Sequence, residues 1–246
     1  MSCGPPHQDA LGHEGKHAES LATSKLPFWG ALLTGWPPTC PEEELEAGPL
    51  LVRPSLEGPP LGAYLAAYEL TQVVERDLSG WVSSVEATAR ELGVRPVGAV
   101  LQRLYSVESS GVAYTVDPVT GDRVIVIQAV KGLHVDLIRG AATHDTFVVD
   151  FGPTRVLEVR VLPKPTHLVA AQGVLQRLPS PEPPDPSLSE DDAIRIASLA
   201  VAAEEAIKAS PLEVEWAVKD RQVVLIAARP IPQELIGHGN FVAGGL

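Results

Sequence analysis

The chain has 246 residues, of which 45% are hydrophobic and 20% are charged, a composition that predicts a globular protein with one large domain or two lobes. Asp and Glu outnumber Lys and Arg by 31 to 19, which gives a formal net charge of −12 at pH 7. This charge disfavours sequence-independent binding to nucleic acid or to an anionic membrane surface. No apolar run is long enough to span a bilayer.

The N-terminal segment, through about residue 24, is polar and lacks a basic start followed by an apolar run. We therefore expect a disordered leader over residues 1–24 and no secretory signal. Cys3 and Cys40 show no spacing typical of a disulfide framework or a zinc site. These features favour a cytoplasmic protein.

The next segment, residues 25–96, predicts a small N-terminal lobe. A short apolar helix is expected over residues 27–38, which end in a Pro pair. Residues 50–54 predict a brief strand that carries Arg53 near its end. The hydrophobic spacing over residues 61–92 predicts a helical segment in which Gly80 is a candidate break.

Strand patterns dominate the remainder of the chain. Residues 97–105 and most of residues 112–161 are rich in β-formers, and a helix follows the proline-rich connector at residues 179–186. Two closing strands are predicted at residues 213–218 and 222–228, joined as a hairpin by three polar residues. Together the patterns predict an α+β fold with mostly antiparallel sheets and flanking helices.

The segment from Ser110 to Asp122 reads Ser-Gly-Val-Ala-Tyr-Thr-Val-Asp-Pro-Val-Thr-Gly-Asp. It predicts a strand that alternates with period two and then enters a tight turn set by Pro118 and Gly121. Polar groups at such a strand end are suited to receive nucleotide phosphates, and Thr115 is the candidate.

Two carboxylates mark the first closing strand. Glu213 and Glu215 are two residues apart and therefore lie on one face, next to a hairpin partner that ends in Arg229. Carboxylates beside a cation can hold Mg²⁺ together with a phosphate, because Mg²⁺ prefers oxygen ligands. The competing interpretation is an exposed acidic strand face that the arginine neutralises.

The order of these motifs resembles the ATP-grasp nucleotide-binding region of phosphoenolpyruvate synthase and pyruvate phosphate dikinase, which also occurs in rifampin phosphotransferase. The similar pieces, in family order, are Val100-Leu-Gln102, Ser110 to Gly121, Ala129-Val-Lys-Gly-Leu133, Val214-Glu-Trp-Ala217 and Ala228-Arg-Pro-Ile231. Fainter upstream matches are Ser24-Lys25 and Leu51-Val-Arg-Pro-Ser55. The resemblance implies an ATP-grasp-like fold with a shortened N-terminal lobe (25–96), a C-terminal lobe (97–231) and a tail (232–246).

The resemblance also implies a site for ATP and Mg²⁺. The residues implied to neutralise the phosphates are Lys25, Arg53 and Arg229. Those implied to bind adenine are Gln102, Arg103 and Leu104. Further implied nucleotide contacts are Thr115, Gln128 and Glu213, and the implied Mg²⁺ ligand is Glu215. Phosphoryl transfer in such a site relies on positioning and charge neutralisation.

Four positions depart from the family pattern: Gln128 replaces a Glu, His134 replaces a Gly, Ala227 replaces a Gln, and Glu213 occupies a place often held by Asp. The family's phosphorylatable His domain and pyruvate-binding barrel have no counterpart in these residues. Two hypotheses follow. The first is a phosphotransferase module that transfers phosphate from ATP to a His on a separate partner protein. The second is a non-catalytic ATP-grasp domain that acts as a regulatory or interaction subunit.

Overall fold

The computed structural model describes residues 13–24, 26–28, 31–39, 49–74, 77–171, 174–180 and 184–237. Within them the predicted α+β class is confirmed. The helices are α1 (His13–Thr23), α2 (Pro60–Leu70), α3 (Ser79–Leu92), the one-turn α4 (Val135–Ile138) and α5 (Glu190–Ile207), with a final 3-10 turn at Gln233–Leu235. The strands are β1 (Ala31–Thr34), β2 (Leu50–Glu57), β3 (Gln72–Val74), β4 (Arg95–Arg103), β5 (Ser109–Tyr114), β6 (Val124–Lys131), β7 (Asp145–Asp150), β8 (Val156–Arg160), β9 (Thr166–Ala171), β10 (Val174–Pro179), β11 (Leu212–Lys219) and β12 (Gln222–Pro230).

The N-terminal sheet has four antiparallel strands in the order β1-β4-β2-β3. Successive residues of a strand point to opposite faces. One face carries Val52 and Leu101, which form an apolar core with Trp81 and Val85 of α3. The opposite face carries Arg53 toward the second sheet.

The C-terminal sheet has six antiparallel strands in the order β12-β11-β5-β6-β7-β8. One face is apolar and is covered by α5, so that Ile127 and Trp216 share a core with Ile196. The helix begins at Ser189, whose Oγ accepts a hydrogen bond from the backbone N–H of Asp192 at 3.1 Å. This cap satisfies an otherwise unpaired donor of the first turn.

Two motif glycines are required by close backbone approach. A Cβ at Gly111 would lie 1.9 Å from the carbonyl oxygen of Gln128 on the neighbouring strand β6. Gly132 has a φ of +66°, and a Cβ there would lie 2.2 Å from the carbonyl oxygen of Leu168. Larger residues at either position would push the strands apart.

Helix α1 connects the two sheets, since it contacts β2, β12 and α5. Leu21 is fully buried in the core of the C-terminal sheet, while the backbone N–H of Gly15 donates to Oγ of Ser55 on β2 at 2.8 Å. The expected disordered leader therefore does not agree with the structure at residues 13–23. The sequence of α1 is mostly polar, and its few apolar residues are too sparse to predict a packed helix. Residues 1–12 lie outside the described range.

Three other expectations of the N-terminal lobe need correction. The helix expected over residues 27–38 is wrong at β1, because these residues find an antiparallel partner in β4. The helical segment expected over residues 61–92 is divided into α2 and α3 by β3, which pairs with β2 and precedes the candidate break at Gly80. The expected boundary between residues 96 and 97 falls inside β4, which belongs to the N-terminal sheet.

Candidate active site

A buried ionic cluster lies between the two sheets and is centred on Glu215 of β11. Nη1 of Arg53 donates to Oε1 of Glu215 at 2.7 Å, and Nη2 of Arg53 donates to Oε2. Nη2 of Arg229 also donates to Oε1, while Nε2 of His134 lies 2.9 Å from Oε2. Both carboxylate oxygens are thus bound by cationic or ring nitrogens, with the Glu215 side chain fully buried.

A second carboxylate extends the cluster toward α2. Glu213 is paired with Arg229 across the β11–β12 hairpin, and its Oε1 lies 3.2 Å from Nε of Arg229. The hydroxyl of Tyr64 donates to Oε2 of Glu213 at 2.7 Å. Burial raises the pKa of Tyr64 well above its usual value, and the neighbouring Glu213 raises it further.

The charges in the cluster compensate one another. Burial alone would raise the pKa of Glu215, but Arg53, a hydrogen bond from His134 and Arg229 together hold this pKa well below its usual range. Glu215 is therefore ionised at neutral pH. With Glu213 included, two arginines face two carboxylates, as a buried charge requires if it is to be tolerated.

A cavity that is partly open to solvent lies beside this cluster. It is lined by the predicted adenine-binding residues Gln102, Arg103 and Leu104 and by His134. Gln102 joins the cavity to the cluster, because its Oε1 accepts from Nε of Arg53 at 2.9 Å and its Nε2 donates to the carbonyl of Ile226. Most of the remaining lining residues are apolar, namely Leu51, Val107, Leu133, Val135, Ile138, Ala217 and Ile226.

The cavity and the two carboxylates follow one another along a single face of β11. Ala217 lines the cavity, Glu215 is two residues away and Glu213 a further two. Each such step is about 7 Å along a strand, so the row extends about 14 Å from an apolar end to a charged end. An elongated ligand with a flat apolar part and an anionic part matches this order.

Thr115 is not part of this face. The register places Tyr114 opposite Glu213, so the next residue, Thr115, points to the other side of the sheet. There its Oγ1 donates to Glu204 of α5 and accepts from the backbone N–H of Leu212 at 2.7 Å. The predicted orientation of Thr115 toward phosphates does not agree with this placement.

Two other predicted site residues, Gln128 and Lys25, are not part of the ionic cluster as the structure describes it. Gln128 lies on the same face as Glu215 but two strands away, since Val112 pairs with both. Its buried Oε1 has no hydrogen-bond partner among the described residues. Lys25 lies outside the described residues.

Two residues of the cluster were missed by the sequence-based interpretation. The sequence signal for His134 is its replacement of a motif glycine, which does not by itself reveal the contact with Glu215. No sequence pattern marks Tyr64 as a site residue, because Tyr64 and Glu213 are 149 positions apart in the sequence and only the packing of α2 brings them together.

Mg²⁺ can bind Glu215 only if it replaces the arginine contacts of this carboxylate. Glu215 supplies the hard oxygen ligands that Mg²⁺ prefers, but its oxygens now accept from Arg53 and Arg229. Ala227, directly opposite Glu215 in the hairpin, offers no side-chain ligand. Among the residues that the structure describes, no group of three or more His, Cys, Asp or Glu forms a ready-made metal site.

Comparison with known families decides how this arrangement is classified. The family model of the pyruvate phosphate dikinase AMP/ATP-binding domain matches residues 93–235, more than half of the chain. The chain belongs to this family. The match confirms the ATP-grasp resemblance drawn from the motifs, and the matched range includes β11, β12 and the strand that lines the cavity.

Individual relatives agree with this assignment. The prodigiosin synthesizing transferase PigC of Serratia marcescens is 32% identical over 65% of this chain and 19% of its own length. The phosphoenolpyruvate synthase of Aeropyrum pernix is 30% identical over 68% of this chain and 25% of its own. A rifampicin phosphotransferase of a Streptomyces species is 29% identical over 55% of this chain and 16% of its own length.

The chain spans between 16% and 25% of the lengths of these three relatives. What each relative does as a whole therefore involves far more protein than the matched region. No helix in the described part of the chain is long and apolar enough to cross a membrane.

Proposed function

We propose that this chain binds ATP together with Mg²⁺ and transfers phosphate from ATP to a His on a separate partner protein. The observation that carries the proposal is the continuity between the apolar cavity and the buried ionic cluster, which Gln102 and His134 link directly. This order matches a nucleotide whose base enters the cavity and whose phosphates extend toward Arg53 and Arg229.

The base would lie against the end of β4. Gln102, Arg103 and Leu104 line the cavity there, and the surrounding apolar side chains favour a flat heteroaromatic ring. Because Gln102 also contacts Arg53, a base in this cavity would place its attached phosphates close to the arginines.

Magnesium and phosphate together would replace the contacts that now close the cluster. The phosphates can take the place of Glu215 at Arg53 and Arg229, while the metal takes the place of the arginines at Glu215. Neither partner alone keeps every buried charge compensated, so ATP and Mg²⁺ should bind cooperatively. When bound, Mg²⁺ supplies charge neutralisation at the phosphates.

Arg53 and Arg229 would then hold the phosphate oxygens during transfer, and Glu215 would hold the metal. The family match and the names of the relatives, which include a synthase and a phosphotransferase, support ATP-dependent phosphotransfer. A separate partner carrying the acceptor His accords with the greater length of those relatives.

The second candidate is a non-catalytic domain with a regulatory or interaction role. It is favoured by the closed cluster, in which Glu215 and Glu213 already neutralise both arginines. It is also favoured by Ala227 and Gln128, which replace side chains of the family pattern. Loss of one such contact can reduce the rate by roughly a hundredfold or more.

The test is thermal unfolding with ATP alone, with Mg²⁺ alone and with both. At a hundredfold excess over the dissociation constant, binding stabilises the fold by ~2.7 kcal/mol, and we expect this only when both are present. Absence of any shift at millimolar ATP and Mg²⁺ would refute nucleotide binding. Arg229→Lys, which keeps the charge but not the fork of donors, serves as a matched variant and should reduce the shift.

Phosphotransfer is tested separately, with labelled ATP and a candidate partner that carries an exposed His. Acid-labile label on the partner supports the first function. Nucleotide binding without any transfer or ATP turnover supports the second.

A further inference from the structure

The two ring nitrogens of His134 have different surroundings. Nε2 lies 2.9 Å from Oε2 of Glu215, and an ionised carboxylate can only accept, so Nε2 is the donor. In the neutral ring Nδ1 then carries the lone pair and acts as an acceptor. Nδ1 is buried and has no hydrogen-bond partner among the described residues.

His134 lies in the wall of the cavity that the nucleotide is proposed to enter. The residue is only 4% exposed and lines the cavity beside Gln102 and Leu104. Other polar groups of the wall are already engaged: Oγ of Ser110 donates to the carbonyl of Gly132 at 2.6 Å, and Gln102 is bound at both ends of its amide. A buried acceptor without a partner is costly, which a ligand donor would relieve.

We propose that Nδ1 of His134 accepts a hydrogen bond from the nucleoside part of the bound nucleotide, which makes His134 a specificity-determining residue. The inference rests on the proposed function, because it requires a nucleotide in the cavity. The donor is either the exocyclic amine of adenine or the ribose 2′-hydroxyl, both of which present a hydrogen that an imidazole lone pair accepts. A nucleotide without that donor leaves the acceptor unpaired and binds about tenfold more weakly or worse.

Two substitutions separate the ring nitrogens. His134→Gln places an amide near Nε2, which can still donate to Glu215, but it has nothing at the Nδ1 position. His134→Asn places an amide oxygen near Nδ1 and has nothing that reaches Glu215. His134→Ala removes both contacts and provides a second variant without the acceptor.

The experiment is calorimetric titration of the protein with three Mg²⁺ diphosphates: ADP, the purine riboside analogue that lacks the amine, and 2′-deoxy-ADP. The wild type should bind one analogue about tenfold more weakly than ADP, and the weaker analogue identifies the donor. The ratio should fall toward one in His134→Gln and in His134→Ala but persist in His134→Asn. His167→Gln, a control in a different cavity, should keep the wild-type ratios.

Equal binding of ADP and both analogues by the wild type overturns the inference, and so does an unchanged ratio in the two variants without the acceptor. Nucleotide binding itself stands in either case. If the wild type binds neither ADP nor ATP with Mg²⁺, the proposed function fails and the inference fails with it.

Discussion

The two faces of the six-stranded sheet bury neighbouring residues of β11 by opposite means. Trp216 packs into an apolar core under α5, whereas Glu215, the adjacent residue, is equally buried among Arg53, Arg229 and His134. Apolar packing tolerates small losses, because each contact contributes little and neighbours relax. The ionic face depends on every partner, because removal of one leaves a buried charge uncompensated.

Substitution of the central carboxylate should have the largest effect. Glu215→Ala leaves Arg53 and Arg229 without their shared partner and should lower the free energy of unfolding by about 3–5 kcal/mol, as measured by urea denaturation. Glu158→Ala is the matched control: its pair with Arg160 on β8 is exposed, so its loss should change stability by less than about 1 kcal/mol. Similar effects for the two variants would contradict the difference between buried and exposed pairs.

Acid should remove the contribution of the same carboxylate. Because the folded-state pKa of Glu215 is held well below its usual value, its stabilising effect is complete above the unfolded pKa of about 4.3 and is lost as pH falls through the folded value. The stability difference between wild type and Glu215→Gln should therefore be constant from pH 7 to about pH 5 and shrink below about pH 4. A difference that already shrinks between pH 7 and pH 5 would mean that the pKa is raised instead.

At the edge of the cluster the effect should be smaller. Tyr64→Phe removes the hydrogen bond to the buried Glu213 and should cost about 1.5–3 kcal/mol, the usual range for a bond to a charged group. Tyr105→Phe, at a residue 44% exposed, is the control and should change the urea midpoint little. Equal midpoints for both variants would show that the Tyr64 hydroxyl contributes nothing to the cluster.

The apolar face should show the smallest change. Ile196→Val removes one methylene from the core under α5 and should cost about 0.5–1.5 kcal/mol. Nucleotide affinity should stay at the wild-type value, because Ile196 lies on the face opposite Glu215. A large loss of affinity in this variant would indicate that the two faces are coupled through the sheet.

The sequence predicted the pieces of the ionic face better than their assembly. Alternation along β11 placed Glu213 and Glu215 on one side, and the hairpin brought Arg229 opposite Glu213, as the pairing confirms. The bidentate contact of Arg53 joins residues 162 positions apart. Only the packing of two sheets determines such a contact, so local pattern could not reveal it.

Thr115 shows where alternation alone is insufficient. The strand pattern separates Thr115 from Tyr114 by face but does not say which face α5 covers. That choice depends on the register of β5 against β11 and on the apolar side of a helix more than 70 residues later in the chain. The motif around Thr115 predicted the fold correctly, since its Gly111 is needed for the approach of β6.

Helix α1 has a mechanical consequence for any ligand that enters between the sheets. Its N-terminal end is bonded to Ser55 of the first sheet, and Leu21 near its other end is inserted into the core of the second. The helix therefore acts as a tether across the cleft. A wide hinge opening would have to pull Leu21 from its core or break the Ser55 contact, so we expect nucleotides to enter through the mouth of the existing cavity by small local displacements.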